Sequence, residues 1–193
     1  MSRKDFYIFR HGETDLNKQK RWQGSGMDYA LNETGVAQAQ GLVEKLRDKG
    51  LDIIFSSPLK RARQTAEVVA EALDVPVEVQ DDLRECFYGD AEGQLIADLQ
   101  CDVPEIVNNW SNPDYWDIRF PQGESKKEAL DRVLNVLAKL AEGDFKTAGV
   151  AIHGGTMSAM LNHWHYDFDK LANCAAFHLV YEDGGWRIEG DIF

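Results

Sequence analysis

Short apolar runs alternate with longer segments of helical period along this chain, and that alternation leaves few architectures open. Phe6-Tyr7-Ile8-Phe9 comes first, and Val36, Ala39, Leu42, Val43 and Leu46 then recur on one helix face before Gly50 stops it. Asp52–Ser56 reads as a short buried strand ended by Ser57-Pro58. A helix is expected from Leu59 to Leu73, with Ala62, Ala66, Val69 and Leu73 on one side, followed by a strand at Val77-Glu78-Val79. Ser125 and Glu128 have capping-box spacing ahead of Ala129, Val133, Val136, Leu137 and Leu140. Val150–Ile152 reads as the fourth strand, with a helix from Thr156 through Trp164. Residues 177–181 and 186–189 flank Asp183-Gly184-Gly185 as a hairpin. Strands alternating with helices predict one three-layer α/β/α domain over residues 1–193, with a mostly parallel sheet. Residues 81–124 are irregular, rich in Asp, Asn, Trp and Pro, and are expected to form a loop-plus-helix lid.

Charge narrows the choice of partner. The net charge of −12 argues against nucleic acid and anionic membrane. Yet residues 1–63 hold twelve Lys/Arg against eight Asp/Glu, so a local basic site sits on an acidic protein and suits a small anionic substrate. No run approaches the roughly 18 apolar residues that span a bilayer. Three cysteines, Cys86, Cys101 and Cys174, lack metal-ligand spacing and read as free thiols of a cytoplasmic protein.

Four segments carry chemistry. Arg10-His11-Gly12-Glu13-Thr14 follows the first apolar run, with Asn17 and Gln23-Gly24 beyond, and His153-Gly154-Gly155 follows the fourth strand. Open α/β sheets place ligand sites at such strand ends. Ser56 to Thr65 opens a helix, and Leu83-Arg84-Glu85 lies in the expected lid. Phosphoryl transfer needs a nucleophile, donors for the equatorial oxygens and an acid at the leaving oxygen. A neutral histidine supplies the first, arginine forks such as Arg10 and Arg61 supply the second, and a carboxyl such as Glu85 the third, with Asp90 and Glu92 as rivals. Helix N-termini after Pro58 and Gly155 are expected to add backbone N–H groups. A thiolate nucleophile is excluded, because Glu92, Val107 and Val180 stand six positions after the cysteines, where an arginine is required. No Gly-x-x-x-x-Gly-Lys phosphate loop occurs.

In this order the boxes resemble the histidine phosphatase superfamily, in the branch of the phosphoglycerate mutases and their small phosphatase relatives such as α-ribazole phosphatase. The resemblance implies a phosphohistidine on His11, with Arg10, Asn17, Arg61 and His153 holding the transferred group, and Glu85 as proton donor. Gln23, Gly24 and Gly154 fall on the substrate side, and no metal or other cofactor is implied. Ala91 replaces an aromatic residue common in relatives, and residues 101–120, with Trp110 and Trp116, match no family pattern. The reading is a metal-independent phosphatase for a small phosphorylated metabolite, with a mutase as alternative and a silent phosphate-binding protein as a third. His11 is expected to tie its Nδ1–H to a backbone carbonyl, leaving Nε2 free. His163, His165 and His178 read as surface or satisfied core histidines, and Lys60 and Arg63 as a solvated helix face.

Overall fold

The computed structural model describes residues 3–193. In chain order the strands are β1 (Lys4–Arg10), β2 (Ile53–Ser56), β3 (Val77–Val79), β4 (Thr147–Ile152), β5 (Ala176–Glu182) and β6 (Gly185–Glu189). The helices are α1 (Asp15–Lys18), α2 (Glu33–Leu46), α3 (Lys60–Leu73), α4 (Ile96–Asp102), α5 (Pro104–Asn109), α6 (Lys126–Leu140) and α7 (Gly154–His163).

One sheet runs in the order β3-β2-β4-β1-β5-β6. The first four strands are mutually parallel, and β5 and β6 add antiparallel pairs at one edge. β1 is apolar at successive positions because both of its faces are covered. Phe6 and Ile8 meet α6 and α7 through Val133, Leu137, Met157 and Leu161. Tyr7 and Phe9 meet α2 and α3 through Leu42, Leu46, Ala62 and Val69. These are the three expected layers. Helices must cross over between parallel strands, so β1 and β4 come to lie side by side and end at the same rim of the sheet.

Element boundaries shift where glycine hides them. The helix expected from Thr156 begins at Gly154, capped by His153 in an extended conformation. The hairpin turns at Asp183 and Gly184, both at positive φ (51° and 81°), which gives the strands their matching twist. The Ser125/Glu128 capping box forms in both directions, at 3.1 and 2.8 Å.

The 81–124 segment is less uniform than a lid. Leu83, Glu85, Cys86 and Tyr88 are buried and run beneath the cleft described below. Beyond them α4 and α5 are short, and neither has a side-chain cap, since Leu95 and Val103 precede them. That is why the sequence shows no helix signal there. Trp110, Phe120, Tyr88 and Leu99 form a small aromatic core of their own. Ala91 is buried in that cluster. Among the described residues, no helix is long and apolar enough to cross a membrane.

Candidate active site

His11 stands at the end of β1, where its backbone N–H donates to Ile152 of β4 at 3.0 Å. The ring is almost wholly buried, and Nδ1 lies 2.7 Å from the Gly12 carbonyl. A carbonyl only accepts, so Nδ1 carries the proton and Nε2 keeps its lone pair. Burial, then the charges of Arg61 and Arg10, hold the imidazole well below its ordinary pKa. It is neutral near pH 7.

The loop carrying His11 is fixed by an interlock of glycines. A Cβ on Gly12 would come within 2.4 Å of the Gly35 carbonyl oxygen, and one on Gly35 within 2.1 Å of the Glu13 oxygen. No other residue fits either place. Thr65 adds a hydrogen bond from the Gly12 N–H at 3.0 Å, and itself donates to the Arg61 carbonyl at 2.7 Å.

Arg61 and His153 lie behind His11, fully buried. The two histidine rings have centroids 5.2 Å apart. Arg61 Nε donates to His153 Nδ1 at 3.2 Å, and its two other nitrogens donate to the Met27 and Gly24 carbonyls at 2.8 and 3.1 Å. His153 Nδ1 therefore accepts, and the ring proton sits on Nε2, facing Ser57 Oγ at 2.7 Å. Burial, offset in part by Glu85, brings the guanidinium down to about 10, still charged at neutral pH. Arg61 thus fixes both the second histidine and the 24–27 loop.

Glu85 reaches the same rim from below. Its Oε1 accepts from the Cys86 and Thr156 N–H groups at 2.9 and 3.0 Å, and Oε2 accepts from Gly155 at 2.9 Å. The N–H groups of Gly155 and Thr156, expected to bind phosphate, are thus taken by the carboxyl; those after Pro58 are taken likewise, Leu59 by Ser57 and Lys60 by Asp28. Desolvation still outweighs these donors, and the Glu85 pKa is raised. Arg132 holds the stretch from outside, donating to the carbonyls of Asp82 and Arg84 at 2.6 and 2.9 Å while paired with Glu124 at 2.9 Å.

An open cleft of about 290 Å³ joins these groups, and Arg10, His11, Asn17, Gln23, Glu85 and Gly154 all line it. Arg10 donates to the Leu171 carbonyl at 2.5 Å, while its Nε, beside Gly154, is buried without a partner among the described residues. Burial lowers its pKa, with Glu85 opposing. Asn17 turns Oδ1 toward Thr14 N–H and Asn173, at 3.2 and 3.3 Å, which leaves its amide protons for a ligand. Gln23 is fixed by Thr14 and Met27 at 2.7 and 3.3 Å. Gly24 is close-packed against Glu92 and the Cys86 carbonyl, so Glu92 clasps this loop and is no rival to Glu85.

Sequence reasoning missed Tyr88 and Asn173, and placed Ser57 in the Ser56–Thr65 segment without giving it a role. Tyr88 is 3 % exposed and its hydroxyl crowds Gly155 beside Glu85. Only its position three residues after Glu85 hinted at it. Lys60 and Arg63 are exposed and paired with Asp28 and Glu67. His178 is held by Asp5 at 2.7 Å. Asp5, His178 and Glu189 bring potential metal ligands within 4.8 Å of one another, but Arg3 already bridges both carboxylates at 2.8 and 2.6 Å. That cluster is an ion-pair network.

A buried neutral histidine, fixed arginines and a raised carboxyl around one cleft define an enzyme that handles phosphate groups. The chain belongs to the histidine phosphatase superfamily (branch 1), whose family model matches residues 6–190. It is 33% identical over 188 residues to the uncharacterized phosphatase PhoE of Bacillus subtilis, covering 94% of this chain and 91% of that protein. GpmB of Salmonella newport, described as a probable phosphoglycerate mutase, is 32% identical over 196 residues, covering 95% and 88%. The mycobacterial glucosyl-3-phosphoglycerate phosphatase, solved with VO3, superposes with a TM-score of 0.84 at 26% identity, over 97% of this chain and 98% of that one. The protein is therefore a phosphatase or mutase-like enzyme of this superfamily.

Proposed function

We propose that the protein is a metal-independent phosphomonoesterase working through a phosphohistidine on His11. The observation that carries this reading is the His11 ring: buried, neutral, with Nδ1–H on the Gly12 carbonyl and, among the described residues, no hydrogen-bond partner on Nε2. Nε2 attacks phosphorus as the ester P–O bond breaks, and Glu85, whose pKa burial raises above the usual carboxyl value, gives a proton to the leaving oxygen from its acid form. Ionised Glu85 then takes a proton from water, whose oxygen attacks the phosphohistidine and restores both groups. Arg10 and the Asn17 amide meet the phosphate oxygens in the cleft, and Arg61 supplies charge from beneath.

The cleft's openness favours hydrolysis over phosphate return, since a mutase must keep water from its intermediate. A relative named as a mutase keeps that alternative alive. Product analysis decides it. Incubation with 3-phosphoglycerate or glycerol phosphate in EDTA is expected to release inorganic phosphate from wild type and none from His11→Ala. Formation of 2-phosphoglycerate without phosphate release would establish the mutase instead.

A further inference from the structure

Beyond the phosphate end, the cleft is walled by Trp110 and Ser111, on a stretch from 110 to 118 with no helix or strand. We infer that the buried Lys126, at the start of α6, is the positioning residue of this wall and sets how tightly the leaving-group part of the substrate is gripped. The inference rests on the phosphatase reading above.

Lys126 is 1% exposed, an unusual place for a lysine. Its Nζ donates to the Asn112 carbonyl at 2.7 Å and lies 4.6 Å from the centre of the Trp116 ring. One side chain therefore holds the turn at two points, immediately after the two wall residues. Its backbone N–H adds a bond to the Ile118 carbonyl at 3.1 Å, and Lys127 adds one to Trp116 at 2.9 Å. From the other side α7 holds Ser111, through Asn162 at 3.0 Å and Ser158 at 3.4 Å. These bonds tie the wall to two helices, while the Trp110 ring packs against Tyr88 and Phe120.

Trp110 shows that the wall does not choose its own position. Its indole N–H is buried without an acceptor, an arrangement that costs stability and persists only where the surroundings impose it. The mechanism uses Lys126 nowhere.

The ammonium is also the titratable part of the strap. Burial brings it down to about 8, while Asp114, on the strapped turn, opposes the fall. Of the charged residues on neighbouring stretches, Lys127 is paired with Asp131 and Arg119 with Glu128, while Glu105 and Asp117 share a surface hollow with Asp114 and Trp116. Above pH 8 the neutral amine loses its attraction for the ring and donates a weaker hydrogen bond.

The test compares KM for p-nitrophenyl phosphate with the inhibition constant of inorganic phosphate, which fills only the His11 end. Wild type, Lys126→Met and Lys126→Arg are measured at pH 7 and pH 9. At pH 7 the Met variant is expected to raise KM roughly fivefold, the worth of one hydrogen bond, with the phosphate constant unchanged and Arg restoring the wild-type value. Between pH 7 and 9 the ratio of KM to the phosphate constant, the latter expressed for the dianion because inorganic phosphate itself titrates in this range, rises by a similar factor in wild type and stays flat in the Met variant. An unchanged KM in the Met variant overturns the inference, and so does a phosphate constant that rises in step with KM. Should the Met variant fail to fold, a pH-independent ratio in wild type overturns it alone. Absence of turnover by wild type would instead sink the phosphatase reading, and the same ratio is then read from dissociation constants by calorimetry.

Discussion

His11 and His153 stand on the ends of two adjacent parallel strands, and each has its proton position fixed by a neighbour. Trp110 and Ser111, across the same cleft, stand on a stretch with no strand beneath it and an unpaired indole N–H within it. The strand-end side is buried and polar, and its histidines and carboxyl are held by named hydrogen bonds, so a change there is read as lost chemistry. The other side is aromatic and held by packing and helix contacts rather than by a strand, so a change there is read as altered fit. On the proposed function, rate and selectivity are carried by different parts of the chain.

Substitutions can break or sharpen that contrast. His11→Ala is expected to lower kcat for p-nitrophenyl phosphate on the order of 10⁴-fold or more, and to abolish acid-quenched labelling by a radioactive substrate. Labelling that survives would move the nucleophile elsewhere. Glu85→Gln comes next, with a loss of about 10²–10⁴-fold in kcat on an alkyl phosphate and much less on p-nitrophenyl phosphate, whose leaving group departs unprotonated. The same split governs pH. Because the Glu85 pKa is raised and its acid form is required, kcat/KM for the alkyl ester falls as pH rises through it. Protonation of His11 sets the acid limb, displaced well below pH 6.5. A p-nitrophenyl phosphate profile with the same alkaline limb would contradict the role of Glu85.

Arg132→Leu should lower kcat about 10- to 100-fold with little change in KM, because it frees the carbonyls that locate Glu85 without touching substrate. A pure KM effect would place Arg132 in substrate binding. Gly35→Ala probes the interlock under His11, where the new Cβ would meet the Glu13 oxygen at 2.1 Å. Overpacking of about 1–3 kcal/mol lowers Tm by roughly 2–12 °C in calorimetry. Smallest of all, Trp110→Phe discards a donor that has no acceptor, so stability shifts by only about 1 kcal/mol while KM for p-nitrophenyl phosphate rises. A drop in kcat matching that of Arg132→Leu would erase the distinction between the two sides.

The sequence was legible where period and capping agree. Leu59–Leu73 was expected and Lys60–Leu73 is observed, and Val77–Val79 coincides. His11, Arg10, Glu85, Asn17, Gln23 and Gly154 meet at one cleft because the βα crossovers return each segment to the same rim. The sequence does not show that Arg61 is wholly engaged behind His153, or that Glu85 takes the helix N–H groups meant for phosphate. Both follow from tertiary distances between residues some 70 to 92 positions apart. The wall was illegible for another reason. Uncapped helices and a lysine strap leave no periodic trace, and a buried Lys126 looks in sequence like its exposed neighbour Lys127.

The two imidazoles also differ in what they offer a phosphoryl group. His153 is closed at both nitrogens, Nδ1 by the Arg61 N–H and Nε2 by its own proton toward Ser57. His11 alone keeps an open lone pair. Although their rings are neighbours, the pair is no relay: the proposed mechanism gives phosphorus a single address, and nitrogen-15 spectra of the resting enzyme should show two opposite tautomers side by side.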